Sequence, residues 1–150
     1  MKIQLSLKPI WWSDRPKVKI LLDDDELFNG EIEKDLNLEF VVDETNKEKS
    51  NLDICLYDKS LDQTVVEGST IVKDQLLEIQ SVVINDINLD YLIFSAIYTP
   101  EYPKHMLEES LVQKKELPTT LTKIDTLGFN GTWRLEFTHP FHLWYLENLP

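Results

Sequence analysis

Apolar residues recur at every second position through most of this 150-residue chain, and sustained helical spacing is absent. Alternation of that kind sends successive side chains to opposite faces of extended backbone, so each segment buries one face and wets the other. Ile3, Leu5 and Leu7 alternate with polar residues, and Val18, Ile20 and Leu22 repeat the pattern before the acidic turn Asp23-Asp24-Asp25. Leu36, Leu38, Phe40 and Val42 form another such run, and Leu52, Ile54 and Leu56 a further one. Between them, Asn29-Gly30 marks a tight turn or a bulge.

Leu77, Ile79, Val82 and Ile84 keep the β character, but their phase changes between Ile79 and Val82, which predicts a bulge there. Gly68 reads as a turn or bulge, and Ile87 to Tyr98 as a strand or short edge segment ending at Pro100. About seven to nine strands at short spacing, with no intervening helices of about 10 to 15 residues, predict an all-β, antiparallel sandwich of jelly-roll type. Residues 98–125 depart from this style. They carry Pro100, Pro103 and Pro118 with little alternation, and read either as a surface loop with one helical turn near Leu107 to Val112 or as an arm reaching a neighbouring subunit. One domain spanning residues 1–150 is expected.

Composition narrows the function classes. No apolar run approaches the roughly 20 residues of a membrane span. MKIQLSLKPIWW lacks the long apolar core of a secretory signal, so the cytosol, or a particle assembled there, is the expected location. The formal net charge is −12, and residues 23–62 alone carry 14 acids against 4 lysines. Such a field repels polyanions, which argues against nucleic-acid binding. The single cysteine, Cys55, forms no internal disulfide and reads as a small core residue of its strand.

Catalytic constellations are lacking. No nucleophile elbow or phosphate-cradling glycine loop occurs, and nothing selects a carboxylate pair from the 27 acids, so a non-enzyme is expected. The acidic turn, with Asp23 and Asp25, offers hard oxygen ligands that Asp86 would complete as a calcium site at a sandwich rim; a solvated turn is the simpler reading. No other cofactor is suggested. His139 and His142 lack a third zinc ligand at recognisable spacing, and Thr138 or His139 is expected to cap a helix begun by Pro140. Trp11 and Trp12 are adjacent in extended chain and therefore point to opposite sides. One of them is free to serve as a sugar-stacking platform or an interface anchor unless the long excursion covers both.

The last block, LGFNGTWRLEFTHPFHLWYLENLP, joins an alternating strand (Leu127, Phe129, Trp133, Leu135, Phe137) to an apolar tail over residues 139–150. Phe141, Trp144 and Tyr145 fall at helical spacing, with Leu143 and Leu146 on another side, so the tail either closes its own sandwich or plugs into a partner. Trp11, Trp12, Phe141, Trp144, Tyr145 and Leu149 are the partner-binding candidates.

The LGFNGTW strand, the F-T-x-P-F-x-x-W-x-x-E-N terminus and the strands KVKILLDDDELFNGEI and VVINDINLDYL together resemble small uncharacterised proteins of tailed phages of marine bacteria, cyanophages especially. Those proteins in turn resemble, in strand arrangement, calcium-dependent xylan-binding carbohydrate-binding modules. The resemblance implies a β-sandwich and a place in or on the virion, with no site residue carried over. The expectation is a non-enzymatic virion accessory protein of head, neck, tail or fibre, contacting capsid or tail proteins or its own copies. The alternative is a carbohydrate-binding module that recognises a host surface glycan.

Overall fold

The computed structural model describes all 150 residues, Met1–Pro150. The chain forms β1 (Lys2–Ile10), β2 (Lys17–Leu22), β3 (Asp25–Glu31), β4 (Leu36–Val41), β5 (Lys49–Tyr57), β6 (Val65–Glu67) and β7 (Thr70–Lys73). It continues through β8 (Leu76–Ile84), β9 (Ile87–Asn88), β10 (Ile97–Pro100), α1 (Lys104–Gln113), β11 (Thr126–Leu127), β12 (Gly131–Thr138) and α2 (Phe141–Asn148). Two five-stranded sheets result. One runs β11-β8-β1-β4 with β9 added to β8, the other β10-β12-β5-β2-β3, and β6-β7 stands apart as a hairpin. Every strand pairing is antiparallel.

The alternation does what a half-buried strand requires. Ile3, Leu5 and Leu7 of β1 face Val18, Ile20 and Leu22 of β2 and Leu52, Ile54 and Leu56 of β5 across a single cluster of 24 buried residues. The phase change in β8 is a bulge: Ser6 pairs Ser81 and Leu7 pairs Ile79, leaving Gln80 as the extra residue. That insertion keeps Leu77, Ile79, Val82 and Ile84 all inside. At the acidic turn between β2 and β3, Asp23 and Asp24 take positive φ of 49° and 70°, a twist suited to a two-residue hairpin. Asn29-Gly30 lies within β3 and makes no turn, pairing with Lys19 and Val18.

Three local expectations change. The run from Leu127 to Phe137 is not one strand, because Leu127 pairs with Leu77 in the first sheet whereas Gly131 to Thr138 pair with β5 in the second. The chain crosses between sheets at Gly128-Phe129-Asn130. Gly131 permits the crossing, since a Cβ there would stand 2.4 Å from the Thr99 carbonyl oxygen. Residues 104–113 form a ten-residue helix, longer than one turn, with no buried residue. Cys55 faces the outer side of β5, half-buried beside Thr132, because Leu52, Ile54 and Leu56 take the inner face; its burial raises the thiol pKa.

Candidate functional site

The C-terminal tail packs against its own chain. Phe141 and Trp144 are buried, and their rings meet Phe137 of β12 at 5.4 and 6.2 Å, with Phe141 and Trp144 stacked at 5.6 Å. Two of the tail's partner-binding candidates therefore sit in the core, Tyr145 is half-buried against it, and the tail's exposed apolar residues are Leu143, Leu146 and Leu149. The helix begins after Pro140, with no side-chain cap from Thr138 or His139. His139 is otherwise engaged: its Nε2 lies 2.6 Å from Ser50 Oγ, which donates to Asp23 Oδ2 at 2.8 Å.

Those contacts bear on the proposed calcium ligands. Both oxygens of Asp23 are already acceptors, one from Ser50 and the other from the Asn51 N–H at 2.9 Å. Asp86 is paired with the Lys2 ammonium at 2.8 Å, and Asp25 is exposed on β3. Nowhere do three His, Cys, Asp or Glu side chains converge as a metal-holding group. Calcium takes six to eight oxygens, so these three carboxylates do not form a ready donor set for it.

The two tryptophans diverge as expected of neighbours in extended chain. Trp11 donates its indole N–H to the Glu33 carbonyl at 2.8 Å, with Arg15 over its ring at 5.7 Å. Trp12 donates to the Gln63 carbonyl at 2.9 Å and remains 43% exposed, with Lys73 of β7 over its ring at 4.6 Å. Buried Gln63 and Gln75 hold the loop that follows, bonding Asp14 N–H and Asp14 carbonyl at 3.0 and 2.9 Å. One basic side chain stands over each indole.

On the far side of that hairpin's short strands the structure brings together residues that no sequence motif marks. A cleft of about 420 Å³ lies among the Lys59–Thr64 segment, the β6-β7 hairpin, the start of α1 and the Gly128–Asn130 crossing. Its apolar walls include Leu61, Val66, Ile71, Met106 and Phe129. Tyr102 meets the Phe129 ring edge-on at 5.2 Å. Tyr98 fixes the crossing from below, donating to the Phe129 carbonyl and accepting the Phe129 N–H at 3.1 Å. Burial pushes the Tyr98 hydroxyl pKa up to about 12.

The polar floor is a nearly dry ion pair. Lys59 Nζ donates to Asp74 Oδ1 at 2.7 Å and to the Gly128 carbonyl at 2.6 Å, with side-chain exposures of 7% and 17% for the pair. Asp74 Oδ1 also accepts from Thr64 Oγ1 at 2.7 Å and from the Gln75 N–H at 2.8 Å. Asn130 clamps the Lys59 backbone, accepting its N–H at 2.8 Å and donating to its carbonyl at 3.0 Å. An ammonium has three N–H donors and a carboxylate two acceptor oxygens, so one donor of Lys59 and all of Asp74 Oδ2 remain without a bond inside the chain. A rigid, partly dry donor beside a rigid acceptor, against an aromatic wall, suits a ligand with adjacent hydroxyls. The Asn130-Gly131 step inside LGFNGTW was the available sequence signal for this crossing.

Two other hollows lack this combination. The outer face of the second sheet holds one of about 400 Å³ beside Arg134, whose guanidinium is committed to Asp53 by two bonds of 2.8 and 2.9 Å. A wider one of about 920 Å³ lies between α1 and its own flanking segment. No helix is long and apolar enough to cross a membrane.

No family model matches this sequence, and no curated protein matches it. Two solved structures share its fold. One is the module vCBM60 in complex with galactobiose, with a TM-score of 0.54 and 7% identity over 89% of this chain and 96% of that one. The other is a selenomethionine form of vCBM60, described with two families of calcium-dependent carbohydrate-binding modules; its TM-score is 0.56 at 7% identity, covering 89% and 87%. The chain thus has a β-sandwich fold, shared with vCBM60, and a short C-terminal helix.

Proposed function

We propose that this protein is a non-catalytic carbohydrate-binding module whose ligand occupies the cleft between the β6-β7 hairpin and the Gly128–Asn130 crossing. The observation that carries the reading is the floor of that cleft, where Lys59 and Asp74 keep bonding capacity to spare beside the Phe129 wall. The sandwich shared with a galactobiose-binding module agrees with it. Hydroxyl pairs are met by the charged donor and acceptor, and the apolar face of a sugar ring by Phe129, Leu61 or Ile71. A glycan array, read with and without calcium, tests this. Retention of neutral oligosaccharides is expected, and an array without signal under both conditions overturns the reading.

A second reading has its own observation. Leu107, Leu111 and Val112 stand 46%, 80% and 83% exposed on α1. Exposed apolar residues gathered on one helix favour protein contact, as in an accessory protein of a virion bound to capsid or tail proteins or to its own copies. Mass spectrometry of purified particles would find the protein there on this reading, and its absence would sink the idea.

A further inference from the structure

The fold's relatives are described as calcium-dependent, and the carboxylates of this chain are not arranged for calcium. What the cleft does have is a cation of its own. Lys59 Nζ sits among oxygens, at 2.7 Å from Asp74 Oδ1 and 2.6 Å from the Gly128 carbonyl, with its side chain only 7% exposed. Thr64 Oγ1 and the Gln75 N–H fix Asp74 from the other side, and Asn130 fixes the Lys59 backbone. We infer that the Lys59–Asp74 pair binds the adjacent hydroxyls of a neutral sugar directly, so that ligand binding in this cleft needs no calcium.

This inference rests on the carbohydrate-binding reading and deepens it. The remaining Lys59 N–H donates to one sugar hydroxyl, and the neighbouring hydroxyl donates to Asp74 Oδ2. Both protein groups are already oriented by other bonds, so little ordering is needed when the ligand arrives. The charge on each strengthens its bond to a hydroxyl relative to a neutral partner. A divalent ion would compete for the same oxygens only by displacing an ammonium tethered a few bonds from its own backbone. That tether gives Lys59 an effective concentration a free ion lacks.

The test is calorimetric titration of the full chain with galactobiose and a panel of neutral disaccharides, in excess calcium and in excess chelator. Equal affinity in both buffers is expected, with Asp74→Asn weakening binding about ten- to hundredfold, the range of a lost charged hydrogen bond. Lys59→Met is the companion variant. Because removing either charge strains the fold, a second measurement uses the unaltered protein: the side-chain ammonium resonance of Lys59 is expected to shift when saccharide is added in chelator. Binding seen only with calcium overturns the inference and leaves the carbohydrate reading standing. Binding in chelator that Asp74→Asn leaves unchanged, with an unmoved Lys59 resonance, also overturns it. No binding in either buffer overturns the carbohydrate reading itself.

Discussion

The two ends of β12 teach opposite lessons about one strand. At Thr138 the chain turns into α2, and Phe137, Phe141 and Trp144 close that end with stacked and edge-on rings. At Gly131 the strand begins from a crossing whose neighbours are an ammonium, a carboxylate and a cleft. The closed end gains its energy from apolar area removed from water, at about 25 cal/mol per Å². The open end holds desolvated charge, which is weak evidence for stability, and that charge lines a cleft. A strand that ran through both sheets would have had no such opening.

This contrast can be broken from either end. The largest effect is expected at the closed one: Trp144→Ala should cost about 3 to 5 kcal/mol in urea unfolding, and removal of residues 141–150 should leave the chain unfolded. A truncated protein that stays folded would mean that the tail is not core. Next, Asp74→Ala strands the Lys59 charge and should cost about 3 kcal/mol, whereas Lys59→Met combined with Asp74→Leu should recover most of it. A double-mutant cycle measures that coupling, and additive losses would show that the two side chains do not form a unit.

A smaller effect follows from Tyr98, whose hydroxyl is held neutral up to about pH 12 in the folded chain. The unfolded state releases that proton near pH 10 and the folded state retains it, so the unfolded state binds fewer protons in between. The contribution is fully present below pH about 10 and is lost as pH rises from there to about 12. Tyr98→Phe should flatten the fall in stability over that window, as pH-dependent denaturation would show. Smallest of all, Leu111→Ser on α1 and Leu146→Ser on α2 should change stability by within about 0.5 kcal/mol, since both side chains already face water. A larger loss at Leu146 would show that α2 packs on both sides.

The sheets were legible because a period of two records which face is buried, residue by residue: Ile3, Leu5 and Leu7 are as buried as their spacing requires. Even the bulge at Gln80 left a phase change to read. The sheet crossing hid itself, since Leu127 to Phe137 keeps one parity while changing sheets, and Gly128 and the Asn130-Gly131 step are what mark the break. The cleft was not legible at all. Lys59 meets Asp74 across 15 positions and Gly128 across 69, and an acidic chain offers no reason to single out one carboxylate from so many. Conversely, the Asp23-Asp24-Asp25 turn drew attention by its charge, yet its structural work is a hairpin twist and a bond to Ser50. The tail was legible as two-sided but not as to its partner, because apolar spacing does not say whose core receives it.

The most direct test of the central claim is amide chemical-shift mapping of the full chain as a neutral disaccharide is added. The resonances moving most are expected to belong to Lys59–Thr64, the β6-β7 hairpin and Gly128–Asn130, with those of α2 and the Asp23 turn unmoved. Shifts centred on the Asp23 or Asp86 turns, or on Trp11, with none at Gly128–Asn130, would contradict it.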